Sequence, residues 1–249
     1  MTAAPSPIGA LAGTLAERLR QAFLDHGYEQ MTMSGLAQLC GFSRRALYHH
    51  FSSKEEAFRH WLDVYGRESI DRGLAAGRRV LDGGGDAVDV IVEVMDVRYG
   101  DARRRLGRSP HALEINDQAF RRGRDLMVAA AVDFQARVAG LLVELEARRL
   151  LRLKPGVTPA ALAQSLCDGA RGTNQALPPI DGERLPRRYR TIIEAILYGA
   201  AVPAQGRKRP AQAAEEARPG TRRTRPGPAS QIAAAETTQQ PIARKKARR

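Results

Sequence analysis

The chain has 249 residues, with 40 Lys and Arg against 27 Asp and Glu, a formal net charge of +13. Hydrophobic residues make up 43 %, enough for a packed core, while aromatics reach only 5 %, a balance that favours helices packed through Ala, Leu and Val. Apolar runs fall short of the ~20 residues that cross a bilayer, and two cysteines, Cys40 and Cys167, cannot make a disulfide framework. A membrane-spanning chain, a disulfide scaffold and a collagen-like chain are thereby excluded, and a soluble, cytoplasmic, all-α protein is expected.

In chain order, Leu11, Leu15, Leu19 and Phe23 recur every four residues and predict a helix stopped by Gly27. Two short helices follow, Ser34 to Cys40 and Arg44 to His50, joined by the turn Gly41-Phe42-Ser43. Lys54 to about Leu81 reads as a long helix closed by Gly83-Gly84-Gly85. Asp86 to about Tyr99 carries Val88, Ile91, Val92 and Met95 on one stripe. A short element near Pro110 to Ile115 leads into a long helix from about Gln118 to Leu151. Thr158-Pro159, a cap followed by proline at the first helical position, starts a helix to about Leu177, and Leu185 to Ala200 is the last. Strand signals are poor, because alternating β-branched runs are missing.

Beyond residue 203 the composition changes. Ala204 to Arg249 holds twelve basic and three acidic residues, a net of +9, with the basic residues clustered at Arg207–Arg209, Arg222–Arg225 and Arg244–Arg249. This stretch has too little apolar surface to offset its ordering entropy and is expected to be disordered. The predicted organisation is an N-terminal unit over residues 1–53, a helical domain over 54–202 and a basic tail over 203–249.

The sharpest motif is Thr32 to Phe58, TMSGLAQLCGFSRRALYHHFSSKEEAF. It has the physics of a helix-turn-helix. Ala37 is small where two helices would cross, and Gly41, four residues on, can take the left-handed conformation that ends the first helix. Leu36, Leu39, Phe42 and Leu47 are spaced to form a small shared core. Ser43 can cap the second helix, and Arg44 and Arg45 sit in its first turn, where positive charge opposes the helix dipole. An anionic partner explains that arrangement better than folding does. Tyr48 and His49 lie one turn further along, and no acidic residue interrupts Ser43 to Lys54.

These residues resemble the DNA-binding domain of the TetR family of transcriptional regulators: small-x3-Gly, then Ser, then Leu-Tyr-His-His-Phe, then Ser-Lys-Glu-Glu. The resemblance spans about Leu15 to Phe58. It implies a homodimer on a palindromic double-stranded DNA operator, acting as a repressor released by a small-molecule effector in a divergent helical-bundle domain. It also implies that Ser43, Arg44, Arg45, Tyr48 and His49 face the operator and that Thr32 and Lys54 hold phosphates. The basic tail is not a standard feature of the family and leaves open an architectural, nucleoid-associated role.

In the second domain, Arg98 shares the stripe of Ile91 and Met95, either as an anchor for an anionic or polar effector or as a snorkelling or carboxylate-paired arginine. Met95, Arg98, Phe120, Met127 and Phe134 are the candidate effector-binding residues. Leu166, Thr173, Tyr189, Ile192, Ile193 and Ile196 lie on the stripes of the last two helices. Such stripes can be buried within the chain or across a twofold axis, and the resemblance favours a dimer interface. No metal site or cofactor is expected: His49 and His50 are adjacent on a helix, and His60 and His111 have no ligand spacing to Cys40 or Cys167. No catalytic arrangement of Ser, His, Asp or Cys is recognisable, so an enzyme is not expected.

Overall fold

The computed structural model describes residues 14–178 and 180–203. These form α1 (Leu15–His26), α2 (Met33–Leu39), α3 (Arg44–His50), α4 (Lys54–Asp82) and α5 (Ala87–Met95), followed by a π-helical turn (Asp96–Gly100). After it come α6 (Asp101–Leu106), α7 (Ala112–Arg122), α8 (Arg124–Ala147), α9 (Pro159–Asn174) and α10 (Leu185–Ala200). The chain is all-α apart from a two-stranded antiparallel ladder, β1 (Leu151–Leu153) with β2 (Ala201–Pro203), in which Leu151 faces Pro203 and Leu153 faces Ala201. Leu11 and the tail from Ala204 lie outside the described residues.

The helix starts follow from short side chains. Thr14, Thr32, Ser43, Ser53, Asp86 and Thr158 each accept a backbone N–H from the first turn of the helix they open. At Ser53 the cap is reinforced, because the Glu56 carboxylate turns back to accept from the Ser52 N–H and hydroxyl at 2.6 and 2.7 Å. Gly41 has φ +72°, and its N–H and that of Phe42 close back on the Gln38 and Ala37 carbonyls at 3.1 and 2.8 Å. That pair of bonds is a Schellman ending, and it sets the turn between α2 and α3.

Two hydrophobic clusters result. The first joins α1, α2 and α3 through Leu19, Phe23, Leu36, Ala37, Cys40 and Leu47, but it also takes Ala57, Phe58 and Trp61 from α4 and Ile115 from α7. Phe23 stands edge-on to Phe58 at 5.0 Å and stacks with Trp61 at 5.9 Å. The second cluster is built by the rest of α4 with α5, α8, α9 and α10 around Ile70, Ile91, Phe134, Leu142, Leu166 and Tyr189. The boundary expected at Lys54 is therefore the start of a helix that serves both cores, and packing does not part there.

Several expectations are corrected. The helix expected from Asp86 to Tyr99 leaves regular α geometry after Met95, so Arg98 and Tyr99 sit in the π-helical turn. The long helix expected from Gln118 to Leu151 is divided at Gly123, where the Leu62 side chain of α4 occupies the space a Cβ would need. Its C-terminal end comes at Ala147, because Arg149 adopts φ +58° and Leu150 N–H closes back on the Leu145 carbonyl at 2.9 Å. Arginine stands here where glycine would mark the stop. The helix expected to reach Leu177 ends at Asn174. Leu39, expected in the core of the helix-turn-helix, is 37 % exposed, while Leu36 and Leu47 are buried and Phe42 is partly buried.

Candidate nucleic-acid interface

The α3 helix lies on the first core through Leu47 and presents most of its other residues to solvent. Ser43, Arg44, Arg45, Tyr48 and His49 are all exposed, with Tyr48 43 % accessible. The Ser43 Oγ accepts the Ala46 N–H at 3.1 Å, which leaves its hydroxyl hydrogen free to donate outward. The Arg44 guanidinium lies 5.5 Å over the Tyr48 ring, so cation and aromatic form one flat contact surface. Among the described residues neither Arg44 nor Arg45 has an acidic partner, although most other arginines of α4 and α7 have one. His50 turns the other way and packs its ring against Phe42 and Phe51. Thr32 is exposed at the start of α2, its Oγ1 accepting Gly35 N–H at 3.1 Å.

Lys54, expected to hold a phosphate, also has partners within the protein. Its Nζ donates to the Tyr28 and Glu29 carbonyls at 2.9 and 3.2 Å and sits 4.4 Å over the Tyr28 ring. It ties the end of α1 to α4, so its charge is already engaged inside the protein. Arg18, also outside the sequence expectation, holds α1 to the helix-turn-helix by donating to the Cys40 carbonyl at 2.9 Å and lying 5.2 Å over Phe42. Burial pushes the Cys40 thiol up to about 11 against the opposing Arg18 charge, so Cys40 acts as an inert core residue.

Residues 17–60 match the family described as bacterial regulatory proteins, tetR family. This segment of the chain is thus TetR-type. The TetR-type segment is 46 % identical over 44 residues to the HTH-type transcriptional repressor AcnR of Corynebacterium diphtheriae and 43 % identical to that of Corynebacterium glutamicum. Each match covers 18 % of this chain and 23 % of the repressor, so the chain spans less than a quarter of the curated relatives it matches. The fold likeness extends further. A transcriptional regulator from Cytophaga hutchinsonii superposes with a TM-score of 0.56 at 17 % identity, over 75 % of this chain and 96 % of that one. The regulatory protein TetR from Rhodobacter sphaeroides does so at 0.53 and 16 %, again over 75 % and 96 %. The TetR-type head thus sits on a helical body of the same fold as these regulators.

A polar junction behind the TetR-type head was not legible in the sequence. Gly27, at φ +75°, leaves room for the side chains of Glu114 in α7 and of His111 just before it. The Glu114 Oε1 accepts the Tyr28 and Glu29 N–H groups at 2.7 and 2.6 Å, and His111 Nδ1 lies 3.2 Å from the other oxygen. Burial alone would raise the Glu114 carboxyl, but the Glu29 and Tyr28 amides and His111 carry it below the ordinary range. Gln118 donates to Glu29, Arg122 pairs with Glu55 and covers Tyr28 at 4.6 Å, and Ser109 donates to the Leu24 carbonyl. Arg59 of α4 reaches Asp125 of α8 with both guanidinium arms, at 2.7 and 2.6 Å. The junction binds the head to α7 and to the start of α8.

The candidate effector residues do not form one group. Met95 and Phe134 are buried in the second core, and the Arg98 guanidinium lies 5.7 Å from the Phe134 ring. Phe120 and Met127 are 40 % and 37 % exposed and belong to neither core cluster. The candidate dimer residues divide too. Leu166, Thr173, Tyr189 and Ile193 are buried inside this chain, Thr173 donating to the Gly169 carbonyl at 2.9 Å and Tyr189 to Asn174. The inward packing of α9 on α10 uses that side of each stripe. Ile192 and Ile196 are half-buried over Gly169, on the side that a second copy could still reach.

Proposed function

We propose that the chain is a transcriptional regulator that binds a palindromic DNA operator as a homodimer, represses from it, and releases it when a small molecule enters the helical body. The observation that carries this reading is the outward face of α3, where Ser43, Arg44, Arg45, Tyr48 and His49 are exposed together without an acidic partner among the described residues. A helix of this kind fits the major groove, and an unpaired arginine there can bind guanine through two donors. The Thr32 hydroxyl at the start of α2 adds a phosphate contact. Lys54 is left out of the reading because two carbonyls hold it.

Dimerisation is assigned to the outer sides of α9 and α10, through Ile192, Ile196 and the glycines beside them. Coupling is assigned to α7: because Glu114 and Gln118 hold the end of α1, a ligand that shifts α7 moves the head with it. That gives the two half-sites of an operator, about one helical turn apart, a spacing that effector binding can disturb. Genomic footprinting with wild type and Arg45→Ala tests the reading. A discrete palindrome is expected for the wild type, and an affinity lowered ~10- to 100-fold for the variant, the size of one lost bidentate contact of ~1–3 kcal/mol. Circular dichroism and sedimentation should be unchanged. Wild-type occupancy by Arg45→Ala would remove α3 as the reading helix.

A further inference from the structure

Beside the second core stands a half-buried cation that no carboxylate among the described residues neutralises. Arg98 lies in the π-helical turn that follows α5, a helix whose apolar residues are otherwise all buried. The Gly73 position of α4 meets the Arg98 Cβ at 3.2 Å, so the side chain starts deep between α4 and α5. Its guanidinium then runs over aromatic rings, 5.1 Å from Tyr99 and 5.7 Å from Phe134. Its Nε is buried without a hydrogen-bond partner, and among the described residues no carboxylate pairs with it.

The nearby acids are already committed. Asp96, two residues away, and Asp101 are both held by Arg104, at 2.9, 3.0 and 2.7 Å. The titratable groups that face Arg98 are Tyr99, Tyr65 of α4, and Cys167 and Arg171 of α9, with Arg72 of α4 lying 5.7 Å over the Tyr65 ring. Burial accordingly lowers the Arg98 pKa from its ordinary value. Partial burial of an unpaired guanidinium costs folding free energy, which a bound anion would offset. The position is also backbone-irregular, as π-helical turns at functional sites often are.

We propose that Arg98 anchors a binding site for a small organic carboxylate with an apolar or aromatic body. The guanidinium fork matches a carboxylate through two parallel hydrogen bonds, and the surrounding Tyr65, Tyr99, Phe134 and Met95 supply apolar and aromatic surface for the remainder. A carboxylate is favoured over a phosphate dianion because the contacts around the guanidinium are aromatic rings, which suit an apolar body better than a second anionic charge. The proposal rests on the effector-release reading in one respect, that this carboxylate is the molecule that frees the operator.

Thermal melting of the full chain tests the site without DNA. Millimolar benzoate or octanoate should raise the wild-type Tm by a few degrees; benzamide, the uncharged analogue, should not, and phenyl phosphate should do so less. Arg98→Met should weaken the carboxylate effect at least ~10-fold, with Arg98→Lys between the two. Without ligand, Arg98→Met should melt no lower than wild type, because it removes an unneutralised charge and keeps the apolar stem. No carboxylate-induced rise in wild type, an equal rise in Arg98→Met, or an unliganded Arg98→Met that melts well below wild type would each overturn the site. Operator release is read separately on the footprinted sequence. Arg98-dependent carboxylate binding that leaves the operator bound upholds the site and removes the effector-release reading.

Discussion

Asp125 shows how a single exposed carboxylate is tuned by one partner. Hydrogen bonding from Arg59 lowers its pKa to about 2, outweighing a small opposing effect of desolvation. A carboxylate depressed in the folded state contributes above its unfolded pKa, near 4, and the contribution is lost as pH falls through the folded value. The tie between α4 and α8 should therefore be complete above pH ~4 and weaken toward pH ~2. The carboxyl carbon shift of Asp125, followed by NMR, should titrate near 2, and a midpoint near 4 would show that Arg59 does not hold it in solution. At the same scale, Lys54 and Arg45 are both exposed-looking cations in the sequence of the motif. Only the structure separates them, because the Tyr28 and Glu29 carbonyls capture one and nothing acidic approaches the other.

Between elements, α4 and α5 are brought together by two glycines one turn apart. A Cβ on Gly73 would stand 2.9 Å from the Val94 carbonyl oxygen, and one on Gly77 would collide with the Val94 side chain while meeting the Val90 carbonyl at 3.2 Å. Gly77→Ala raises helix propensity, which alone would stabilise α4 by ~1 kcal/mol, but it forces the two helices apart. Overpacking of ~1–3 kcal/mol should win, so the variant should unfold at lower denaturant than wild type with an unchanged slope. A more stable variant would mean that α5 moves aside at no cost, and would weaken the view that the π-helical turn is held in place by this contact. The junction through α7 belongs to this scale too: its polar contacts join residues some 85 apart, Glu114 to Glu29 and Tyr28.

For the whole molecule, the two half-buried isoleucines of α10, Ile192 and Ile196, are the informative positions. Ile196→Glu should give monomers, because a twofold interface would desolvate two unpaired carboxylates together, at a cost on the order of several kcal/mol. Ile193→Glu is a contrast, since Ile193 is buried within one chain and its substitution should unfold the body instead. Sedimentation distinguishes the two, and an unchanged dimer for Ile196→Glu would place the interface elsewhere. The tail from Ala204 carries a net of +9 in three clusters, which motivates non-specific DNA affinity. Truncation after Pro203 keeps the β1–β2 pairing and should flatten the log–log salt dependence on random duplex by several units per dimer, each phosphate contact counting ~0.9. Discrimination between operator and random DNA should rise. Equal salt slopes with and without the tail would assign all duplex binding to the head.

The local elements were readable from sequence because their signals are local. The span of α3 is Arg44–His50, as its Ser43 cap predicts, that of α10 is Leu185–Ala200, as its apolar periodicity predicts, and the Gly41 turn follows from one residue free to take positive φ. The head was recognisable for the same reason: its helix-turn-helix is encoded within Thr32 to Phe58. Boundaries failed where the stop was unmarked, as at Arg149, or where one glycine in a long apolar run divides two helices, as Gly123 does against Leu62. A hydrophobic stripe reports that a face is buried but not against what, so the sequence could not tell Ile193, packed inward, from Ile196. It could place Arg98 on an apolar stripe, but whether a carboxylate met it depended on Arg104 taking both Asp96 and Asp101. Pairing between groups far apart in the chain is decided by three-dimensional packing, and that is where tertiary structure alone set the outcome.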